Sequence, residues 1–141
     1  MMKKSIFILL ILVALVSCKK KGCTDSKASN FDTEAVEDDN SCTYNADVSF
    51  WFNSTVSFFL DAYDVTDLSV YINDSLVGNM DPTDSKTEPD CGGDAFTFVY
   101  PLNDFPYREV AYRVDDQTGN DQFSGIITVY GGECTSKELK W

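Results

Sequence analysis

Leu68-Ser69-Val70-Tyr71-Ile72-Asn73-Asp74-Ser75-Leu76-Val77-Gly78 decides the fold class. Leu68, Val70 and Ile72 alternate with Ser69 and Tyr71, the period-2 pattern of a strand with one buried face. Asn73-Asp74-Ser75 then turns the chain into Leu76-Val77-Gly78. Asn and Asp accept the backbone of a tight turn, so the eleven residues read as a β-hairpin.

The same grammar extends in both directions. Upstream, Val48, Phe50 and Phe52 alternate with Ser49, Trp51 and Asn53, and Thr55-Val56-Ser57-Phe58-Phe59-Leu60 reads as a second strand. Downstream, Met80 to Asp94 is a polar loop carrying Pro82, Pro89, Cys91, Gly92 and Gly93. Strands resume at Phe96, Phe98 and Tyr100, and after Pro101 and Pro106 at Val110, Tyr112 and Val114. A turn over residues 115–120 leads into Phe123 to Tyr130, then Gly131-Gly132, then Cys134 to Trp141. No stretch of ten residues has helical periodicity. The expectation for residues 46–141 is an all-β domain, a small antiparallel β-sandwich of seven or eight strands.

The N-terminus follows different rules. Lys3 and Lys4 precede the continuous apolar run Ile6 to Val16, and small Ser17 stands before Cys18. That is the anatomy of a secretory signal, and the run is shorter than the ~20 residues of a membrane span. Leu15-Val16-Ser17-Cys18 resembles the lipobox of bacterial lipoproteins. The resemblance implies cleavage after residue 17, diacylglycerol on the Cys18 thiol and acylation of the new amine. Two or three acyl chains, at roughly 0.8 kcal/mol per buried methylene, make such an anchor durable. Residues 1–17 are thus the expected signal and 18–22 the lipidated cysteine with its linker.

Of 141 residues, 11 are basic and 23 acidic; removing Lys3 and Lys4 with the signal leaves 9 against 23, a net charge of −14. Such a surface repels nucleic acid and anionic headgroups, so neither is expected as a partner of the acidic surface. The membrane is expected as a partner through the anchor, beside which Lys19-Lys20-Lys21 form a basic tether. There is no histidine, which removes the usual general base, the Ser-His-Asp and Cys-His arrangements, and most zinc and copper sites.

With Cys18 assigned to lipid, Cys23, Cys42, Cys91 and Cys134 form an even set in an oxidising compartment. Of the three possible pairings, local closure favours Cys23 with Cys42 and Cys91 with Cys134, contributing about 3 and about 4 kcal/mol by loop entropy. Gly92-Gly93 and Gly131-Gly132 flank the later pair and would let two backbones approach there.

Residues 23–45 lack apolar periodicity and need a staple to fold. Gly22-Cys23-Thr24-Asp25 through Asp38-Asp39-Asn40-Ser41-Cys42 resembles a Cys-bounded, Asp-rich repeat of exported Bacteroidetes proteins, with Asn40 where that pattern has Gly. The resemblance to acidic calcium-binding loops makes Asp25, Asn30, Asp32, Asp38 and Asp39 candidate calcium ligands, although the spacing is not that of an EF-hand. The alternative is that these acids cap turns. Residues 70–78 and 123–134 in turn resemble a small Bacteroidetes β-sandwich, to whose motifs no activity is attached.

Trp51, Tyr71 and Tyr107 are candidate ligand-binding residues, since exposed aromatic faces on a sandwich can stack on sugar rings. The competing assignment is core packing and cross-strand pairing. Asp61, Asp64 and Asp67, and Asp115, Asp116, Asn120 and Asp121, could each gather round a cation. No pair of carboxylates is marked as buried together for glycoside hydrolysis, so an enzyme is not expected. The expected function is a lipid-anchored envelope protein acting as a non-catalytic binding or structural module. The alternatives are a carbohydrate-binding accessory of a glycan-uptake system and, remotely, a histidine-free hydrolase. The expected location is the outer membrane, with a glycan or envelope protein as partner. The periplasmic face is favoured because surface lipoproteins of Flavobacteria-type bacteria tend to carry acids, not lysines, just after the cysteine.

Overall fold

A computed structural model describes residues 19–84, 86–89, 91 and 95–141. Two short strands, β1 (Lys21–Gly22) and β2 (Glu37–Asp38), pair within the N-terminal segment. They are followed by β3 (Tyr44–Trp51), helix α1 (Ser54–Ala62), β4 (Leu68–Ile72), β5 (Ser75–Met80), β6 (Phe96–Asn103), β7 (Tyr107–Asp116), β8 (Asp121–Tyr130) and β9 (Cys134–Glu138). A three-stranded sheet of order β6-β3-β9 faces a four-stranded sheet of order β5-β4-β7-β8. The all-β expectation is met, with seven strands in the two larger sheets.

The alternation read from the sequence is the alternation that is buried. Ala46, Val48 and Phe50 on β3 point inward towards Val70, Val110, Val114 and Val129 of the opposite sheet. The Phe50 and Tyr112 rings meet across the interior at 5.3 Å between centroids. The hairpin turn is Asn73-Asp74, with φ of 46° and 63°, the backbone a two-residue turn between twisted strands demands. Pro101 lies in β6, an edge strand, where a missing N–H breaks no ladder.

Two expectations need correction. Thr55 to Leu60 is not a strand; it lies within α1. The Asn53 side chain accepts hydrogen bonds from the Thr55 and Val56 amides, which opens a helix. Val56 and Leu60, four residues apart, then become its buried positions. A nine-residue helix is too short to show a repeating stripe, which is why its apolar run passes for a strand. In addition, β9 runs parallel to β3. The chain leaves β8 through Gly131-Gly132, changes sheet, and sets off in the direction β3 takes.

Both expected disulfides are present, Cys23–Cys42 with Cα atoms 4.8 Å apart and Cys91–Cys134 with 5.9 Å. The second ties the loop after β5 to the first residue of edge strand β9.

Gly92 and Gly93 lie outside the described residues, and the described contacts of the Gly131-Gly132 turn are with Tyr44 and Lys27. A Cβ on Gly132 would lie 2.6 Å from the Lys27 carbonyl oxygen, and one on Gly131 2.5 Å from the Tyr44 ring. The close approach is therefore to the Cys-stapled segment. Around it, the Gly132 amide donates to the Asn45 carbonyl, Ser29 to the Thr43 carbonyl and the Tyr44 hydroxyl to Asp25, while Lys27 pairs with Glu133. The stapled segment is thus docked on the end of the sandwich where β3 begins.

Gly132 has φ +67°, so Gly132→Ala combines left-handed strain with a backbone clash. We expect it to destabilise the oxidised protein by about 2 kcal/mol, measured by denaturant unfolding. Unchanged stability would show that the docking contact is not required.

Candidate functional site

The end of the sandwich opposite the stapled segment carries an aromatic cluster. Strands β3 and β9 both run away from that segment, and their ends are joined where the Leu139 amide donates to the Trp51 carbonyl. α1 follows β3 at this end, and Trp141 follows β9. Because α1 buries Val56 and Leu60, the intervening Phe58 and Phe59 turn outward. Phe58 meets Phe59 edge to face at 5.8 Å, Phe59 meets Trp141 at 6.0 Å, and Trp141 leans on Phe123 of β8 at 5.2 Å. Phe58, Tyr63 and Trp141 are 67, 76 and 64% exposed.

The cluster is held on a fixed frame. Asp64 closes the helix with φ 56°, and Gln117 from the β7–β8 turn donates to its carbonyl while accepting from the Thr66 amide. The Ser57 hydroxyl donates to the Pro82 carbonyl. Contiguous exposed aromatics on a fixed frame are the composition of an interaction surface. The sequence reading missed them because Phe58 and Phe59 were assigned to a strand.

The residues singled out from the sequence are not brought together. Trp51 is half-buried at the end of β3 and lines a cavity of about 200 Å³ with Phe50, Phe96, Asp81 and Lys86. Tyr71 lies on the outer face of the four-stranded sheet beneath the Arg113 guanidinium, 4.5 Å away, and Arg113 also pairs with Asp115. Tyr107 sits at the other end of that sheet, beside Tyr130 at 6.0 Å, both well exposed. Cys18 and the lipobox lie outside the described residues.

The candidate calcium ligands are occupied by their own turns. Asp25 accepts from the Lys27 amide and the Tyr44 hydroxyl, and the first of these leads in holding its carboxyl below the usual range. Asp32 accepts from Lys20 and the Glu34 amide, and Lys20 is the larger cause of its lowered pKa. Asp38 and Asp39 accept from the Asn40 and Ser41 amides. Asn30 bridges the Ser41 carbonyl and the Thr43 amide. Among the described residues, no group of three or more acidic or cysteine side chains could hold a metal ion, and no helix is long and apolar enough to cross a membrane.

The β7–β8 turn shows the same economy. Asp116 accepts from the Thr118 hydroxyl and amide, the Asn120 amide and the Gln122 side chain. Led by the Thr118 hydroxyl and the Asn120 amide, the donors of Thr118 and Asn120 lower its pKa to about 2. A depressed carboxylate stabilises the fold above its unfolded pKa, and that contribution is lost as pH falls through the folded value. We expect stability to drop between about pH 4 and pH 2, and Asp116→Asn to flatten that part of the profile. Superimposable pH profiles for the two proteins would contradict the role given to Asp116.

Compared with known proteins, the chain matches no family model, no curated protein and no solved structure.

Proposed function

We propose that this is a lipid-anchored envelope protein, a non-catalytic binding module that presents its aromatic end to a partner. The observation that carries the proposal is the opposition of two ends. The described chain begins at Lys19, the residue after the lipobox cysteine, and the Lys20 carbonyl accepts from the Val36 amide on the side of the sandwich where β3 starts. Phe58, Phe59, Tyr63 and Trp141 gather at the other side, one eight-residue strand away, or roughly 25 Å. A protein tethered at one end and aromatic at the other holds its binding surface away from the bilayer. The anchor supports the outer membrane as location, and Lys19-Lys20-Lys21 favour its periplasmic leaflet. The proposal calls on neither calcium nor any other cofactor.

The Tyr107–Tyr130 ledge supports a second reading, a carbohydrate-binding accessory of a glycan-uptake system. The two rings are adjacent across paired strands, tilted by 32° and open to solvent, as stacking on a sugar requires.

Labelled palmitate should enter the wild type, and Cys18→Ser should lose both the label and membrane fractionation; label retained by Cys18→Ser refutes the anchor. A photo-crosslinking residue at Tyr63 should trap a discrete envelope partner that one at exposed Leu76 does not. No adduct from Tyr63, or the same adduct from both positions, refutes the aromatic end as the binding surface.

A further inference from the structure

We infer that the domain rests directly on the phospholipid headgroups that hold its anchor, on a face built from Lys19–Gly22 and the turn around Val36. The inference rests on lipidation of Cys18, and adds that no flexible linker separates lipid from fold.

The order of the chain from Lys20 onward carries it. The Lys20 carbonyl accepts from the Val36 amide at 2.9 Å, and its ammonium pairs with Asp32 and Glu34 at 2.9 and 2.7 Å. Lys21–Gly22 then pair with Glu37–Asp38, and Cys23 is 1% exposed and bonded to Cys42. That segment is docked on the sandwich through Lys27 and Gly132. Cys18 and Lys20 are two residues apart, so their Cα atoms lie within about 7 Å. An acylated Cys18 therefore brings Lys20 and its neighbours to the headgroup layer.

Charge and polarity at this face suit that neighbour. Lys19, Lys20 and Lys21 offset three of the five acids at this face, Asp32, Glu34, Glu37, Asp38 and Asp39, with Lys21 paired to Glu37 at 3.0 Å. The face thus carries about −2 of the mature chain's −14, so it meets anionic phospholipid with less repulsion than the more acidic remainder of the surface would feel. Val36 is 68% exposed beside the Lys20 carbonyl and offers an apolar side chain to the interface.

The full lipidated protein, reconstituted into vesicles of phosphatidylethanolamine and phosphatidylglycerol doped with brominated phosphatidylcholine, provides the test. Native Trp51 and Trp141 lie towards the far end and should keep their emission, whereas the emission added by Val36→Trp should be quenched. Lysine acetylation of wild type gives a second reading. Lys21 and Lys140 have similar side-chain exposure, 62 and 66%, and each has one carboxylate partner. On vesicles, Lys21 should react several-fold more slowly than Lys140. Palmitate-labelled protein that floats with the vesicles, yet shows no quenching at residue 36 and equal reactivity at the two lysines, would overturn the inference. Absence of palmitate and of flotation would instead refute the anchor on which it rests.

Discussion

The space that a side chain on Gly132 would need is filled by the Lys27 carbonyl. That close approach lets the Cys23–Cys42 disulfide loop, with few apolar residues, join a β-sandwich. On its own the loop buries little beyond Cys23 and Ala28, too little to offset the entropy of ordering it. The staple shortens the list of unfolded states, and the glycine turn gives the closed loop a surface to sit on. Lys27–Glu133 and Tyr44–Asp25 then fix the rotation of one against the other. The orientation of the molecule depends on this joint, since it makes the direction of β3 the direction from anchor to aromatic end.

Charge is distributed in keeping with that geometry. The acids of the stapled segment accept from backbone amides and from lysines, which orders the segment locally. Asp116 repeats the device in the β7–β8 turn, which in turn clips the end of α1 through Gln117. Asp115 is the exception. It is 5% exposed, and its ion pair with Arg113 satisfies one oxygen while the other has no hydrogen-bond partner among the described residues. Removing the guanidinium would leave a buried carboxylate uncompensated, a loss on the order of 3 kcal/mol or more.

Much of the fold was legible because strands leave a period of two. Leu68-Val70-Ile72 and Val110-Tyr112-Val114 are buried as their alternation implies, and cysteine parity with local closure led to both disulfides. What was not legible has physical reasons. α1 is a short helix opened by one asparagine cap, and Val-Ser-Phe-Phe-Leu fits either period over so few residues. The parallel course of β9 depends on a change of sheet that no local pattern records. The aromatic end was hidden because the Phe58-Phe59 pair and Trp141 are far apart in sequence and meet only when α1 and β9 finish at the same place. Of the three aromatics chosen from the sequence, Tyr107 is an exposed member of a pair, whereas Tyr71 is committed to Arg113 and Trp51 is half-buried at a cavity wall.

The central claim is that the stapled segment and the sandwich are one body, and native-state hydrogen exchange on the oxidised protein tests it most directly. The Ser29, Asp32, Val36 and Gly132 amides, which donate to Thr43, Cys23, Lys20 and Asn45, should be protected together with those of β3. Exchange of Ser29, Asp32 and Val36 at unprotected rates, while β3 and β7 stay closed, would mean that the segment is a loose tether and would contradict the account.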